Sequence, residues 1–234
     1  MSQGFGSGGP GRPAEGVVQF EAAHRDRPLE EHVYGETVRE LAAWREILSR
    51  LGLLGQRPDR YEGLGYGNVS ARVGPMGNMT QGRRRFLITG TQTGGNRMVS
   101  LEHFCVVEGY DLAANRVTSF GPVAPSSEAL THGAIYDAAP AVRAVLHAHA
   151  PEIWRQARQL HLPLTAAHAA NGTVDLAREV MRLLRESAAS ELGILVMGGH
   201  EDGVLAFGRS AAEAGQALVR HLGRACALDE GTFR

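Results

Sequence analysis

Two histidines one residue apart, His147 and His149, are the side chains of this 234-residue chain best suited to catalytic chemistry. Residues i and i+2 of a β-strand point to the same face, so both imidazoles can approach one ion while Ala148 faces the packed side. A third histidine, His200, follows later in the chain. Three neutral imidazoles with an open fourth position form the ligand set of a catalytic zinc site, which cobalt or manganese can also occupy. We therefore predict one divalent ion, zinc in the first place, on these three histidines.

Small residues that offer backbone N–H groups or hydroxyls recur before the histidine pair. Ser126 and Ser127 precede a predicted helix, whose unpaired N–H groups and positive dipole end favour an anion. The glycines at 63–67 lack the spacing of a dinucleotide fingerprint, and those at 90–95 lack the Gly-Lys-Ser/Thr ending of a P-loop. Taken alone, Asn68 and Ser126 fit turn and N-cap positions better than they fit ligand contacts.

Hydrophobic periodicity predicts the elements that must position these side chains. Leu41, Trp44, Leu48 and Leu51 recur at helical spacing and predict a long helix that ends at a glycine. Predicted strands cover 68–73, 85–89, 104–107, 116–120, 142–149, 193–197 and 204–207, and predicted helices cover 127–138, 151–160, 174–189 and the segment after Ser210. The predicted fold class is α/β, with helices on both faces of a central, largely antiparallel sheet.

Length and composition indicate one globular domain. With 43% hydrophobic and 21% charged residues, the chain can form one sizeable core, and we assign that domain to 29–234 after a flexible N-terminal tail at 1–28. A net charge of -1 gives no reason to expect nucleic acid or an anionic membrane as partner. No stretch nears the roughly 18 apolar residues that span a bilayer. Two cysteines do not suggest a disulfide framework, so we expect a cytoplasmic protein.

Five segments of the chain occur in the order found in the class II aldolase/adducin family. They are 67–70 (Gly-Asn-Val-Ser), 91–94 (Thr-Gln-Thr-Gly), 126–128 (Ser-Ser-Glu), 140–149, which ends in His-Ala-His, and 197–200 (Met-Gly-Gly-His). The chain therefore resembles this family, which includes fuculose-1-phosphate aldolases, from about residue 35 to 228. The resemblance implies a three-layer α/β/α fold, a cyclic homotetramer and a zinc-dependent lyase of carbohydrate metabolism.

The resemblance also implies roles for individual residues. Glu128 would be the catalytic base, because a bound divalent ion polarises the oxygens of an ene-diol or hydroxyketone and lets a nearby carboxylate take a proton. A small hydroxylated, phosphorylated, sugar-like substrate would then react through an ene-diolate. Its phosphate or carboxylate end would be held by Gly67, Asn68, Ser70, Thr93, Gly94, Ser126 and Ser127.

Three departures from the family pattern keep other functions open. His200 is followed by Glu201-Asp202-Gly203 where the family has glycine directly, and the segment between the histidine pair and His200 is short. The family's aldolases and epimerases use a late tyrosine as proton donor, but no tyrosine follows Tyr136. His168, Glu201, Asp202 or Arg234 could replace it. The alternatives are an epimerase, dehydratase or decarboxylase on the same metal site, or a non-catalytic binding module like the adducin head domains.

Overall fold

An eight-stranded sheet forms the centre of the protein in the computed structural model, which describes residues 18–74 and 79–228. The strands are β1 (Glu21–Asp26), β2 (Gly55–Gln56), β3 (Gly65–Tyr66), β4 (Asn68–Arg72), β5 (Phe86–Thr89), β6 (Phe104–Asp111), β7 (Arg116–Gly121), β8 (Ala144–His149), β9 (Ile194–Val196) and β10 (Gly203–Gly208). The sheet order is β1-β7-β6-β5-β4-β8-β10-β9, and β2 pairs with β3 separately. Only β1 and β7 pair in parallel within the described ranges. The prediction of an α/β fold with a largely antiparallel sheet is confirmed.

Alternating strand residues divide the core into two hydrophobic clusters. On β5, Leu87 belongs to one cluster, whereas Phe86 and Ile88 belong to the other. On β8, Leu146 and Val145 divide in the same way. This period of two follows from the pleat, which points successive side chains to opposite faces of a sheet. Because β8 lies between β4 and β10, its residues are covered from both sides and are fully buried.

Six α-helices accompany the sheet in the described part of the chain. They are α1 (Glu31–Arg50), α2 (Ala129–Ala138), α3 (Pro151–Gln156), α4 (Val174–Glu186), α5 (Ala189–Leu192) and α6 (Ala211–Leu228). The predicted apolar face of α1 holds for Leu41 and Leu48, but Leu51 lies beyond the helix end and is 47% exposed. Ser210 accepts a hydrogen bond from the Glu213 backbone and so begins α6 as predicted. Within the described part of the chain, no helix combines the length and apolar content needed to cross a membrane.

The boundary of the predicted N-terminal tail is wrong where the structure describes it. Residues 1–17 lie outside the described ranges, but β1 forms an ordered strand within the predicted 1–28 tail. Most β1 side chains are exposed, so the strand is held by its backbone pairing with β7 and by ion pairs such as Glu21 with Arg116. Backbone pairing needs no apolar alternation, which is why composition did not predict this edge strand.

Three predicted helices also begin or end differently in the structure. The helix predicted over 127–138 begins at Ala129, and the one predicted over 151–160 ends at Gln156. The helix predicted over 174–189 is interrupted after Glu186, where Ser187 has an extended backbone and donates its hydroxyl hydrogen bond to the Leu183 carbonyl. Serine favours such local side-chain bonds over continued helix, so the interruption has a local cause.

Candidate metal centre

The three predicted metal ligands lie together at the end of the central strand β8. His147 pairs across the sheet with Asn68 of β4 and Leu205 of β10, and His149 pairs with Gly203. His200 comes from the turn between β9 and β10. One ring nitrogen from each histidine lies within 4.8 Å of the other two, and all three side chains are buried. The pleat thus brings the histidine pair to one face, as the sequence spacing predicts.

A hydrogen bond to the sheet fixes how His147 presents its ring. Its Nδ1 lies 3.2 Å from the Val204 carbonyl oxygen, which can only accept, so Nδ1 carries the proton. The other nitrogen, Nε2, then carries the lone pair that a metal ion would need. A backbone carbonyl that sets the tautomer of a histidine in this way is a recurrent feature of metal sites.

Glu128 extends its carboxylate toward two of these histidines. Oε2 lies 3.4 Å from Nε2 of His147, and Oε1 lies 3.2 Å from Nδ1 of His200. The residue occupies the N-cap position of α2, yet its side chain makes no capping hydrogen bond there. Its carboxylate is therefore directed at the histidines and not at the helix end, and it is 2% exposed. From this position it can either complete a ligand set or take a proton from a molecule bound beside the ion.

The donor set fits a divalent metal ion of the zinc type. Three imidazole nitrogens and one buried carboxylate match the nitrogen and oxygen ligands that zinc takes in catalytic sites. His147, His149 and His200 would hold the ion, and Glu128 would lie next to it.

The two residues inserted after His200 are accommodated by a tight turn. Gly203 donates its N–H to the His200 carbonyl at 3.0 Å, and Ala150 donates to the Asp202 carbonyl at 2.8 Å. Asp202 adopts φ +62°, a left-handed conformation that aspartate tolerates better than most residues. A Cβ on Gly203 would lie 3.0 Å from Cγ of His200, so this glycine allows the turn to approach the ring. The departure from the family spacing therefore leaves His200 in the cluster.

Six of the seven predicted substrate-binding residues line one small pocket. These residues are Gly67, Asn68, Thr93, Gly94, Ser126 and Ser127, and Gly65, Gly90, Thr91 and Gln92 complete the lining. We call this the neutral pocket, because no charged side chain is among its lining residues. It adjoins the metal centre, since Asn68 pairs with His147 and Ser127 directly precedes Glu128.

Individual side chains show what the neutral pocket can offer a ligand. Asn68 is 6% exposed, and its side-chain oxygen has no hydrogen-bond partner among the described residues. Oxygen and nitrogen of an amide are assigned by their surroundings, so this group could equally donate to a ligand. Thr93 already donates its hydroxyl hydrogen to the Gly90 carbonyl at 2.8 Å. The Thr93 hydroxyl hydrogen is therefore already used within the loop.

The structure does not bring the seventh residue, Ser70, to this pocket. Ser70 lies two residues further along β4, and its hydroxyl is 2.7 Å from both His132 Nδ1 and the Tyr136 hydroxyl. Ser70 thus belongs to a buried polar cluster with His132 and Tyr136. Burial lowers the pKa of His132 to about 3, so its ring is neutral at physiological pH. His132 lies one helical turn after Glu128, and its neutral, buried ring fits a supporting role at that position.

The structure adds aromatic and basic residues that sequence reasoning missed. The Tyr61 ring packs edge-on against His149, with 4.4 Å between ring centroids, and its hydroxyl donates to Asp202 Oδ2 at 2.8 Å. Arg60 donates to the same hydroxyl at 2.5 Å and lies over the Tyr66 ring. Tyr61 has φ +49°, and strained positions of this kind gather at functional sites. No local pattern marks the contacts of Tyr61 with His149 and Asp202, because they join residues far apart in the sequence.

Of the four residues that could replace the late tyrosine, only Asp202 touches this aromatic group. His168 and Glu201 are exposed to solvent, and Arg234 lies outside the described residues. Asp202 is half-buried and bonds to Tyr61 beside the metal centre. The structure therefore places a tyrosine at the metal centre, although it comes from an early part of the chain.

Comparison with known proteins agrees with this architecture. Residues 58–228 match the family described as the Class II Aldolase and Adducin N-terminal domain, so the chain belongs to the class II aldolase and adducin family. No curated protein sequence is significantly similar to the chain. The family assignment thus confirms the resemblance on which the site residues were chosen.

Solved structures of low sequence identity share the fold. The sugar-phosphate aldolase from Thermotoga maritima is 18% identical with a TM-score of 0.60, over 83% of this chain and 94% of that one. YgbL from Klebsiella pneumoniae, a proposed aldolase/epimerase/decarboxylase, is 18% identical with a TM-score of 0.61, over 86% and 92%. The L-fuculose-1-phosphate aldolase from Thermus thermophilus is 22% identical with a TM-score of 0.54, over 85% and 91%. At such identities the likeness shows a common fold, and the reaction has to be inferred from the site.

Proposed function

We propose that this chain is a metal-dependent aldolase-type lyase that acts on a small hydroxylated, phosphorylated, sugar-like substrate. The observation that carries the proposal is the buried Glu128 carboxylate, which lies within 3.4 Å of His147 and 3.2 Å of His200. When bound, a divalent ion, zinc in the first place, supplies a Lewis acid that stabilises negative charge on substrate oxygens. The three histidines would hold that ion, and family membership supports the assignment.

Residues of the chain carry out proton transfer and substrate binding. Glu128 takes a proton from the substrate at the carbon or hydroxyl beside the reacting carbonyl, because its carboxylate is directed at the metal centre. The neutral pocket binds the phosphate or carboxylate end of the substrate through backbone N–H groups and the Asn68 amide. Ser70 and His132 support Glu128 from behind through their buried hydrogen bond. Burial of the histidine cluster excludes water from the reacting atoms.

Replacing Glu128 by glutamine tests the assignment of the base. If Glu128 is the base, Glu128→Gln keeps the fold and most of the metal but suppresses proton exchange on accepted hydroxyketones by about 10²-fold or more. Exchange is followed by NMR on a panel of phosphorylated and free hydroxyketones. If the glutamate only stabilises its helix, the change costs at most about 1 kcal/mol and leaves exchange untouched. Asp175→Asn is the matched control, because Asp175 is an exposed acid in the first turn of α4.

The absence of a late tyrosine does not select the lyase over two further candidates. An epimerase, dehydratase or decarboxylase would use the same base and metal with a different proton donor. A non-catalytic binding module would need neither, and the buried set of three histidines and a carboxylate argues against it. A wild-type protein that binds metal but exchanges no proton on any member of the panel would favour the binding module.

We also propose a layer arrangement, a domain boundary and an oligomeric state for the protein. The two hydrophobic clusters support a three-layer α/β/α arrangement, because α1, α3 and α6 contribute to one cluster and α2, α4 and α5 to the other. We also propose one domain, which begins at β1 and not at residue 29, and a cyclic homotetramer with the metal centre near a subunit boundary.

A further inference from the structure

Arg45 of α1 is buried behind the loop that forms one wall of the neutral pocket. Its side chain is 2% exposed, and its guanidinium donates hydrogen bonds to the backbone carbonyls of Thr93 at 2.5 Å, Gly94 at 3.1 Å and Asn96. These carbonyls belong to the loop at 91–96. Arg45 is therefore bonded directly to the backbone of a pocket wall.

This buried cation has no carboxylate partner among the described residues. The adjacent Glu46 pairs instead with Arg50, at 2.9 Å. Burial lowers the pKa of Arg45 to about 10, which still leaves the guanidinium charged at neutral pH. Burying an unpaired charge is costly, and an apolar side chain could fill the same space at lower cost. The position of Arg45 thus calls for a function that uses its positive charge.

The peptide between Thr93 and Gly94 links the charge of Arg45 to the neutral pocket. In a trans peptide the carbonyl and the following N–H point in opposite directions. Because the Thr93 carbonyl faces Arg45, the Gly94 N–H faces away from it. Gly94 lines the pocket, and none of the described residues accepts a backbone hydrogen bond from its N–H. A cation bonded to the carbonyl polarises the peptide and makes its N–H a stronger donor to a ligand.

The close packing of the loop explains why it must be held so firmly. A Cβ on Gly94 would lie 2.6 Å from both the Gly55 oxygen and the Gly65 Cα, so this backbone touches the neighbouring strands directly. Only glycine allows that approach. The three bonds from Arg45 hold the loop from its other side and fix the direction of its N–H groups.

We propose that Arg45 is a specificity-determining and positioning residue, which makes the neutral pocket select the anionic end of the substrate. The positive charge of Arg45 attracts a phosphate or carboxylate that is bound on the opposite side of the peptide between Thr93 and Gly94. The proposal rests on the assignment of the neutral pocket to the substrate. The Asn68 side-chain oxygen, which is buried beside the same pocket and has no hydrogen-bond partner among the described residues, independently indicates that a polar ligand belongs there.

Calorimetric titration of the metal-loaded, full-length protein with inorganic phosphate and with acetate tests this proposal. We expect Arg45→Met and Arg45→Gln to weaken phosphate binding at least about tenfold, the effect of removing a charge several ångströms away at protein-like dielectric. Arg45→Lys keeps the charge and loses part of the fork geometry, so it should lose clearly less affinity than either neutral variant. Arg50→Met, on the same helix but exposed, should bind phosphate within about twofold of wild type.

The outcomes separate the role of Arg45 from the role of the pocket. Neutral Arg45 variants that bind phosphate as wild type does would overturn the inference and leave the pocket assignment intact. Equal losses in Arg45→Lys and Arg45→Gln would show a merely structural role and would also overturn it. If Arg45→Met does not fold, the comparison of Arg45→Gln with Arg45→Lys decides, and circular dichroism and metal content report folding. Wild-type protein that binds neither anion would overturn the pocket assignment itself.

Discussion

The buried ring of His132 should make the stability of the metal-free protein fall between pH 7 and pH 5. The ring is completely buried on α2, bonded through Nδ1 to Ser70, and its Nε2 has no hydrogen-bond partner within the described ranges. Desolvation by burial is the main reason that the pKa of this histidine falls from 6.5 to about 3. The folded protein therefore keeps the His132 ring neutral down to about pH 3.

The sign and size of the effect follow from that pKa. The unfolded chain takes up the proton below about pH 6.5, whereas the folded protein does not until about pH 3. The stability associated with the neutral ring is thus complete above pH 6.5 and is lost as the pH falls. Each pH unit in this window costs about 1.4 kcal/mol, so the fall from pH 7 to pH 5 costs roughly 2 kcal/mol.

Urea unfolding at pH 7 and pH 5, in the presence of a chelator, measures this loss. In His132→Gln the loss of unfolding free energy between the two pH values should be about 2 kcal/mol smaller than in wild type. His32→Gln serves as the control, because His32 has an 80% exposed side chain and should show the wild-type loss. A His132→Gln variant with the full wild-type loss would refute the reasoning, because the acid sensitivity would then come from other groups.

Three further predictions concern the metal centre and the assembly. His147→Ala or His149→Ala should abolish the one divalent ion per chain measured by elemental analysis, and stoichiometric metal in the double variant would exclude this site. Tyr61→Phe keeps the ring against His149 but removes the bond to Asp202, so stability should fall by about 1 kcal/mol and chelator competition should show weaker metal binding. Unchanged values would show that the bond contributes nothing. Light scattering at micromolar concentration should show a homotetramer, which a strictly monomeric species would contradict.

Local sequence patterns were sufficient wherever the structure depends on neighbouring residues. The strand period of two placed His147 and His149 on one face, and the helical period of α1 identified Leu41 and Leu48 as core residues. Ser126 and Glu128 were identified from the Ser-Ser-Glu motif, which ends directly before α2. These predictions required only the pleat, the helical turn and the capping rules.

The features that were missed depend on contacts between distant parts of the chain. β1 pairs with β7, and Glu21 reaches Arg116 across 95 positions of sequence. An arginine on an amphipathic helix normally belongs to the solvent face, so only the folded structure shows that Arg45 is buried. Ser70 shares a face of β4 with Asn68, but the strand pattern does not show how deep each residue lies.

Strand register explains why the metal centre and the neutral pocket form one site. Asn68, the first residue of β4, pairs with His147 of β8, and Val69 donates its N–H to the Thr89 hydroxyl at the end of β5. The loop after β5 and the residues before α2 then meet through the pairing of Gly90 with Pro125.

A slip of one residue between β4 and β8 would turn Asn68 away from the face that carries His147. The turns that bring in Tyr61 and His200 can vary in length without disturbing this register, because they lie at strand ends. One departure from the family pattern, Glu201-Asp202 after His200, falls in such a turn. The chain can therefore keep the histidine cluster, Glu128 and the neutral pocket together while the turns around them differ.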